Sequence, residues 1–311
     1  MFILKSFPTF VMYKKRDYIM LKNFVTGFGL CCLLPLGVLG LMLNCSCGSH
    51  KLPVVIEDAK EEIGNTECLL VDEKERAFVW NDSLVQTNID ESIGYRHQQI
   101  DKHAYIISYN NQTRCPNYVA WKLTEERLTP NIARTNLFVE DEDIDLEYRI
   151  KHSDYSNSGY DRGHMCPAAD NRFDSIAMDE CFTMSNICPQ NRTLNAGDWN
   201  DLEEKCRRLA RKSDAVYVVC GPIFNGGNTK YIGKRKKHKI AVPDKFFKVI
   251  LVNNDDTYMA LGYVMDNDDS KKDLSEYAVS VDVVEQLTGF DFFYNLPDSV
   301  ENEVEKNSDY F

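Results

Sequence analysis

From Ile93 onward the chain alternates between short apolar runs and turn-forming clusters, and the spacing of the apolar positions assigns an element to each run. Trp199, Leu202, Cys206 and Leu209 recur at i, i+3, i+7 and i+10, one stripe on a helix running from Leu194 to about Lys212. His103–Tyr109 and Tyr118–Leu123 are β-rich runs, and Asn110–Asn117 between them predicts a hairpin with a long turn. Ala215–Cys220 has the continuous apolar character of a buried strand, which Gly221-Pro222 should stop. Phe246–Val252 and Thr257–Met265 are two more strands, joined by the turn composition Asn253-Asn254-Asp255-Asp256. Ser280 is placed to cap a last helix that ends at Gly289. Strands dominate early and late with helices between them, which predicts an α+β domain on a mixed or antiparallel sheet flanked by helices.

The first fifty residues follow a different pattern. Lys14, Lys15, Arg16 and Lys22 precede an uncharged, mostly apolar stretch, Phe24–Leu43, and then Asn44-Cys45-Ser46-Cys47-Gly48-Ser49. A basic lead, an apolar stretch and small polar residues make an export signal. Cys45 or Cys47 fits a bacterial lipoprotein site, while an uncleaved anchor and a soluble secreted form are the rivals, since about 20 apolar residues can span a bilayer. The expected organisation is an export leader over 1–47, a polar acidic tether over 48–91, a catalytic domain over 92–300 and an acidic tail over 301–311. All three fates of the leader put the body outside the cytoplasm, in the cell envelope or secreted.

Charge and cysteine usage refine this. The chain carries a net charge of -12, its first fifty residues contribute +4, and the body therefore holds -16. An acidic body argues against stoichiometric coating of nucleic acid, but not against an enzyme that meets a phosphate chain through a local basic patch. Lys234–Lys239 is the one strongly basic run there, either a solvated loop or a steering patch. Glu140–Asp143 should be a solvated acidic loop. Outside the leader stand Cys68, Cys115, Cys166, Cys181, Cys188, Cys206 and Cys220, some of which should pair in an oxidising compartment. None shows C-x-x-C spacing, which disfavours zinc.

The polar residues of one region carry candidate chemistry. His164 follows a glycine beside Asp161 and Arg162, and an imidazole can take a proton from water near neutral pH. Asn195 falls in the first turn of the predicted helix, and an amide oxygen is a hard ligand for Mg²⁺, which keeps most of its waters. On one continuous helix Glu203 and Arg207 would stand roughly 80° and 120° from Asn195, flanking its face. Arg162 and Arg207 are planar forks suited to phosphate oxygens. A base, a sparse metal ligand, a carboxylate for metal-bound water and two forks make a phosphodiester-cleaving set.

The stretches SGYDRGHMCPAAD (Ser158–Asp170), MSNICPQ (Met184–Gln190) and LNAGDWNDLEEKCRR (Leu194–Arg208) resemble the DNA/RNA non-specific endonuclease family of the Serratia nuclease and endonuclease G type. GPIF (Gly221–Phe224) and TGFDFFYNLP (Thr288–Pro297) are also similar, so the resemblance covers about residues 93–297. It implies a ββα-metal (His-Me finger) fold and an Mg²⁺-dependent enzyme, with Mn²⁺ or another divalent cation as a substitute, that hydrolyses DNA and RNA to 5′-phosphate products. It implies His164 as general base and Asn195 as the direct metal ligand, with Glu203 orienting metal-bound water. Arg162 and Arg207 would hold phosphates, Asn186 would help position the catalytic site, and Arg134 would add a phosphate contact. Asp161 would set the local backbone rather than react.

Expected partners are DNA and RNA as substrates and a membrane through the leader; a homodimer stays open and no protein partner can be inferred. Two rival functions remain: a catalytically inactive surface lipoprotein that binds nucleic acid, and a phosphodiesterase acting on small molecules. Intact His164, Asn195 and Glu203 speak against the first.

Overall fold

The computed structural model describes residues 84, 86–89 and 98–308 except 228, 235–238 and 256, together with the backbone of 10–15, 18–23 and 32–35. Two compact units divide the chain, Met1–Glu73 and Lys74–Phe311. In the first, β1 (Phe10–Lys15), β2 (Tyr18–Asn23) and β3 (Cys32–Pro35) form an antiparallel meander. Only Cys32–Pro35 of the apolar stretch Phe24–Leu43 is described, and Cys45 and Cys47 lie outside the described residues. No described helix is long and apolar enough to cross a membrane.

The second unit opens with β4 (Thr87–Ile89), β5 (Gln98–Asp101), β6 (Ile106–Asn110) and β7 (Cys115–Leu123). Its middle holds β8 (Asp161–His164), α1 (Ser175–Cys181), β9 (Ile187–Gln190), α2 (Arg192–Ala196) and α3 (Asp198–Ala210). It continues through β10 (Ala215–Ile223), β11 (Tyr231–Ile232), β12 (Ile240–Ala241), β13 (Lys245–Asn254) and β14 (Thr257–Asp266). β15 (Ala278–Val279), α4 (Val281–Thr288), β16 (Phe290–Phe292) and α5 (Asp298–Val304) close it.

Seven strands make the central sheet in the order β15-β14-β13-β10-β7-β6-β5. Every ladder in it is antiparallel, so the sheet is antiparallel rather than mixed. Successive side chains of a strand face opposite ways, and here both faces are covered. Val216, Val218, Cys220, Phe246, Ile250 and Leu261 pack into one core with Met165, Leu194, Trp199 and Leu202. Tyr217, Val219, Phe247, Val249 and Leu251 pack into a second core with Val281, Val284, Phe290, Phe292 and Val304. The β8–β9 hairpin and α1–α3 therefore lie on one face, and α4, β16 and α5 on the other.

Several expected boundaries move. The β6–β7 turn is shorter than Asn110–Asn117 because the ladder extends to Asn110↔Cys115, with Arg114 at a φ of 57°. β10 does not stop at Gly221-Pro222 but runs to Ile223 against β13. Its pairing with β7 ends at Cys220↔Val119, so Pro222 sits where the ladder is one-sided and its missing N–H costs nothing there. The tether is not wholly outside the fold: Thr87–Ile89 pairs with Phe290–Phe292. At the other end α5 and buried Val304 and Glu305 carry the fold past residue 301.

Two further expectations are corrected. Asp141 is 2% exposed and accepts from Lys102 Nζ at 2.8 Å and from the Ser185 hydroxyl, so it braces the core while its neighbours are solvated. Cys115, Cys166, Cys181, Cys188, Cys206 and Cys220 are all unpaired and buried, so the described cysteines act as small apolar core residues. Cys68 lies outside the described residues, as does most of the basic run, Arg235–His238.

Candidate active site

β8 and β9 pair antiparallel with Asp161 opposite Gln190, Gly163 opposite Cys188 and His164 opposite Ile187. α2 follows at once and packs on β8. That is a ββα unit: hairpin, short turn and helix, with His164 at the end of the first strand and Asn195 on the helix. Gly163 makes the close pairing feasible, because a Cβ there would stand 2.1 Å from the Gln190 Oε1.

The single predicted helix is two. α2 ends at Ala196 and α3 begins at Asp198, with Gly197 between them at φ -113°, ψ -113°. A Cβ at Gly197 would lie 2.7 Å from the Thr193 carbonyl oxygen, which explains the residue. The angular offsets expected on one axis therefore do not describe how Asn195 relates to Glu203 and Arg207. The apolar stripe itself is as expected: Trp199, Leu202 and Cys206 are buried and Leu209 packs against the same core.

Asn195 is half-buried, and its Nδ2 donates to Asp161 Oδ2 at 3.2 Å. This fixes the amide plane and leaves Oδ1 for another partner. Asp161 therefore does more than set the local backbone: it orients the amide. Among the described residues no three His, Cys, Asp or Glu side chains converge here. A lone oriented amide oxygen fits a hard cation that keeps its water shell.

His164 sits between two rings, Phe182 at 4.8 Å edge-on and Phe138 at 5.5 Å. Its Nε2 is sealed from solvent without a hydrogen-bond partner, while the residue as a whole is half-buried. Nδ1 is thus the nitrogen left to meet a water. Burial first, and then the Arg134 guanidinium, push its pKa down to about 3, so the imidazole of the free protein is neutral, the form a general base requires, but a weak proton acceptor. Arg134 is exposed and its guanidinium lies over the Phe182 ring, 5.6 Å from its centre.

Arg162 donates from Nη2 to the His152 carbonyl at 3.1 Å and lies over the Phe138 and Tyr155 rings at 5.6 and 5.7 Å. Arg207 is not the free fork that was expected. Its Nη1 meets Asp170 Oδ1 at 3.0 Å and Glu203 Oε2 at 3.8 Å, and its side chain is 12% exposed. It orders the carboxylates before it can order a phosphate. Glu203, on the first turns of α3, is pushed up to about 7 by burial, while Lys248, Arg207 and Arg134 pull the other way.

Asn186 is a brace. Its Oδ1 accepts from the Cys166 N–H at 2.9 Å, and its Nδ2 donates to the carbonyls of Cys166 at 2.8 Å and Cys181 at 2.9 Å. With the amide fully engaged by backbone and no exposed surface, it positions the segment after His164 and cannot touch a substrate.

Sequence reasoning missed four contributors. Phe138 and Phe182 build the histidine cage. Asp170 is 1% exposed and joins Arg207 to Trp121, whose Nε1 donates to Asp170 Oδ2 at 3.0 Å. Asp170 closes the first quoted motif, a position that could have drawn notice. Lys248, fully buried, holds its ammonium 4.2 Å from the Trp199 ring centre and 5.2 Å from that of Trp121. Nothing in its strand run signals this.

Comparisons with known proteins match this arrangement. The family described as DNA/RNA non-specific endonuclease matches residues 86–299. A protein named Nuclease from Nostoc sp. is 33% identical over 219 residues, covering 67% of this chain and 77% of its own length. Human mitochondrial endonuclease G is 34% identical over 206 residues, covering 63% and 69%. The crystal structure of an EndoG/EndoGI complex superposes with a TM-score of 0.62 at 32% identity, over 66% of this chain and 89% of that one.

Proposed function

Because the chain belongs to the DNA/RNA non-specific endonuclease family, we propose that it is an exported, Mg²⁺-dependent endonuclease that hydrolyses phosphodiester bonds of both DNA and RNA. The observation that carries the reading is the ββα unit, with a neutral histidine at its head and an amide held in one orientation beside it. Human endonuclease G and the Nostoc nuclease bear names that agree with it.

In this reading His164 Nδ1 takes the proton of the attacking water, and the exposed Arg134 meets a phosphate beside it. An anion arriving at Arg134 offsets the charge that lowers the histidine's pKa, so the base strengthens when substrate binds. Asn195 Oδ1 would hold the divalent cation, and Glu203 would orient its waters, with Arg207 and Asp170 fixing the carboxylate. Bound there, Mg²⁺ would stabilise charge on the phosphorane and on the leaving 3′-oxygen. Products carry 5′-phosphate and 3′-hydroxyl ends. Contacts to phosphate carry no base information, which suits weak sequence preference.

The deciding assay incubates the protein with plasmid, single-stranded RNA and a small aryl phosphodiester, with and without EDTA. Cleavage of both polymers, abolished by EDTA, is expected; cleavage of the small ester alone, or of nothing, overturns the proposal. A Mg²⁺ titration then assigns the ligand. Asn195→Ala should lose rate with only partial rescue at high Mg²⁺, and Glu203→Gln should do less harm because it acts through water. An unchanged rate and Mg²⁺ midpoint in Asn195→Ala would place the metal elsewhere.

Export follows from the leader. Lipidation at Cys45 or Cys47 makes the protein partition into detergent and makes the double Ser variant soluble. Continued membrane retention of that variant would favour Phe24–Leu43 as an uncleaved anchor.

A further inference from the structure

On the face of the sheet away from His164, α4 and the end of α5 bring three carboxylates together. Asp282 and Glu285 stand three residues apart on α4, hence on one side of it. The Asp282 N–H donates to the Glu305 carbonyl at 3.2 Å, which ties the residue after α5 to the first turn of α4. One carboxylate oxygen from each of Asp282, Glu285 and Glu305 lies within 4.8 Å of the other two. Asp282 and Glu285 are half-buried, whereas Glu305 is only 7% exposed.

Glu305 is the telling member. Its Oε1 is sealed from solvent and has no hydrogen-bond partner. A buried, unpartnered carboxylate oxygen is costly unless something positive meets it. The neighbours supply no such charge: after burial, the leading influences on Glu305 are Glu285, Glu301, Asp282 and Asp291, and together they push its pKa up to about 9. Glu285 is pushed up to about 7 by burial, eased by the Phe292 N–H that its Oε1 accepts at 2.8 Å.

We propose that Asp282, Glu285 and Glu305 form a binding site for a calcium ion that pins α5 to α4. The donor set is all oxygen and all carboxylate, the chemistry of a hard divalent cation. The number of carboxylates selects among such cations. Calcium takes several carboxylates in a flexible shell, whereas Mg²⁺ keeps most of its waters and usually takes only one or two. Three protein oxygens leave room for water, so the site suits an extracellular fluid rich in calcium. The ion would be structural, because α4 and α5 cover the core on the face opposite the ββα unit.

The test uses the full chain and calcium chloride alone, read by calorimetric titration and by thermal unfolding. Wild type should bind one saturating Ca²⁺ that persists in Asn195→Ala, and its Tm should rise with Ca²⁺. Glu305→Gln should lose that binding and its Tm response, while its calcium-free Tm at neutral pH should match that of wild type, because a carboxyl with a pKa of about 9 is already uncharged there. Asp282→Asn, on a half-exposed position that folding tolerates, should weaken binding at least tenfold. Calcium binding that vanishes in Asn195→Ala, or that Glu305→Gln retains, would overturn the assignment. An equal Tm response to Mg²⁺ in Asn195→Ala, which lacks the other proposed metal ligand, would overturn the choice of calcium.

Discussion

His164 owes its state to two rings and one guanidinium. Phe138 and Phe182 exclude water from Nε2, and Arg134 opposes a second positive charge nearby. His164→Ala should lower plasmid cleavage by ~10²–10⁴-fold, the usual contribution of a general base, with the fold retained. Cleavage near the wild-type rate would remove the histidine from the mechanism. Arg134→Gln isolates the electrostatic part. Removing a positive neighbour raises the imidazole pKa, so the acid limb of kcat/KM should move to higher pH, and KM should rise with the lost phosphate contact. The same shift bears on stability. The folded pKa of about 3 lies below the value near 6.5 of the unfolded chain. Between those limits the unfolded chain binds a proton that the native protein refuses, so stability falls as pH drops through that window. Urea midpoints at pH 7 and pH 4 should therefore differ less for His164→Ala than for wild type. Equal differences would show that the imidazole is not desolvated.

The ββα unit depends on one interruption. Gly197 ends α2 and caps α3, and a Cβ there would press 2.7 Å from the Thr193 carbonyl. Gly197→Ala should push α2 off its seat, lower the Tm modestly and raise the Mg²⁺ midpoint of cleavage more than the Tm loss explains. A lower Tm with an unchanged midpoint would show that Asn195 keeps its place. This break was not legible in the sequence, although the helix was. Trp199, Leu202 and Cys206 repeat because burial on one face demands that spacing, whereas a cap within the run has no apolar signature. Likewise the strands were legible and their ends were not: Gly221-Pro222 has the composition of a stop, yet only the partner strand decides whether the missing N–H matters. His164 and Asn195 were legible because local motifs frame them. Asp170 joins Trp121 from 49 residues away, and Lys248 is set by two tryptophans distant in the chain; such meetings are created by the fold. Arg207 misled for the same reason, since its buried partner Asp170 lies 37 residues earlier.

At the scale of the molecule, the cysteines set chemistry against compartment. The export proposed for the leader would send the chain to an oxidising environment, where thiols pair if geometry allows. Six described thiols nevertheless stand unpaired in the core. Thiolate is the reactive form, and burial holds it off: the pKa values of Cys181, Cys206 and Cys220 are pushed up to about 12, first by desolvation, and those of Cys166 and Cys188 also rise. Exchange with an oxidant needs both a thiolate and access; burial denies access to all six and thiolate to these five. Stability then comes from the antiparallel sheet packed on both faces and not from cross-links between these residues. The consequence is measurable on protein purified without reductant. Alkylation followed by peptide mass spectrometry should leave Cys115, Cys166, Cys181, Cys188, Cys206 and Cys220 unlabelled in the native state and label all six in guanidinium. Dithiothreitol should not shift the Tm through any of them. Peptides joined by a disulfide between two of these six would show instead that oxidation reshapes the core, and would restore the pairing that the cysteine count first suggested.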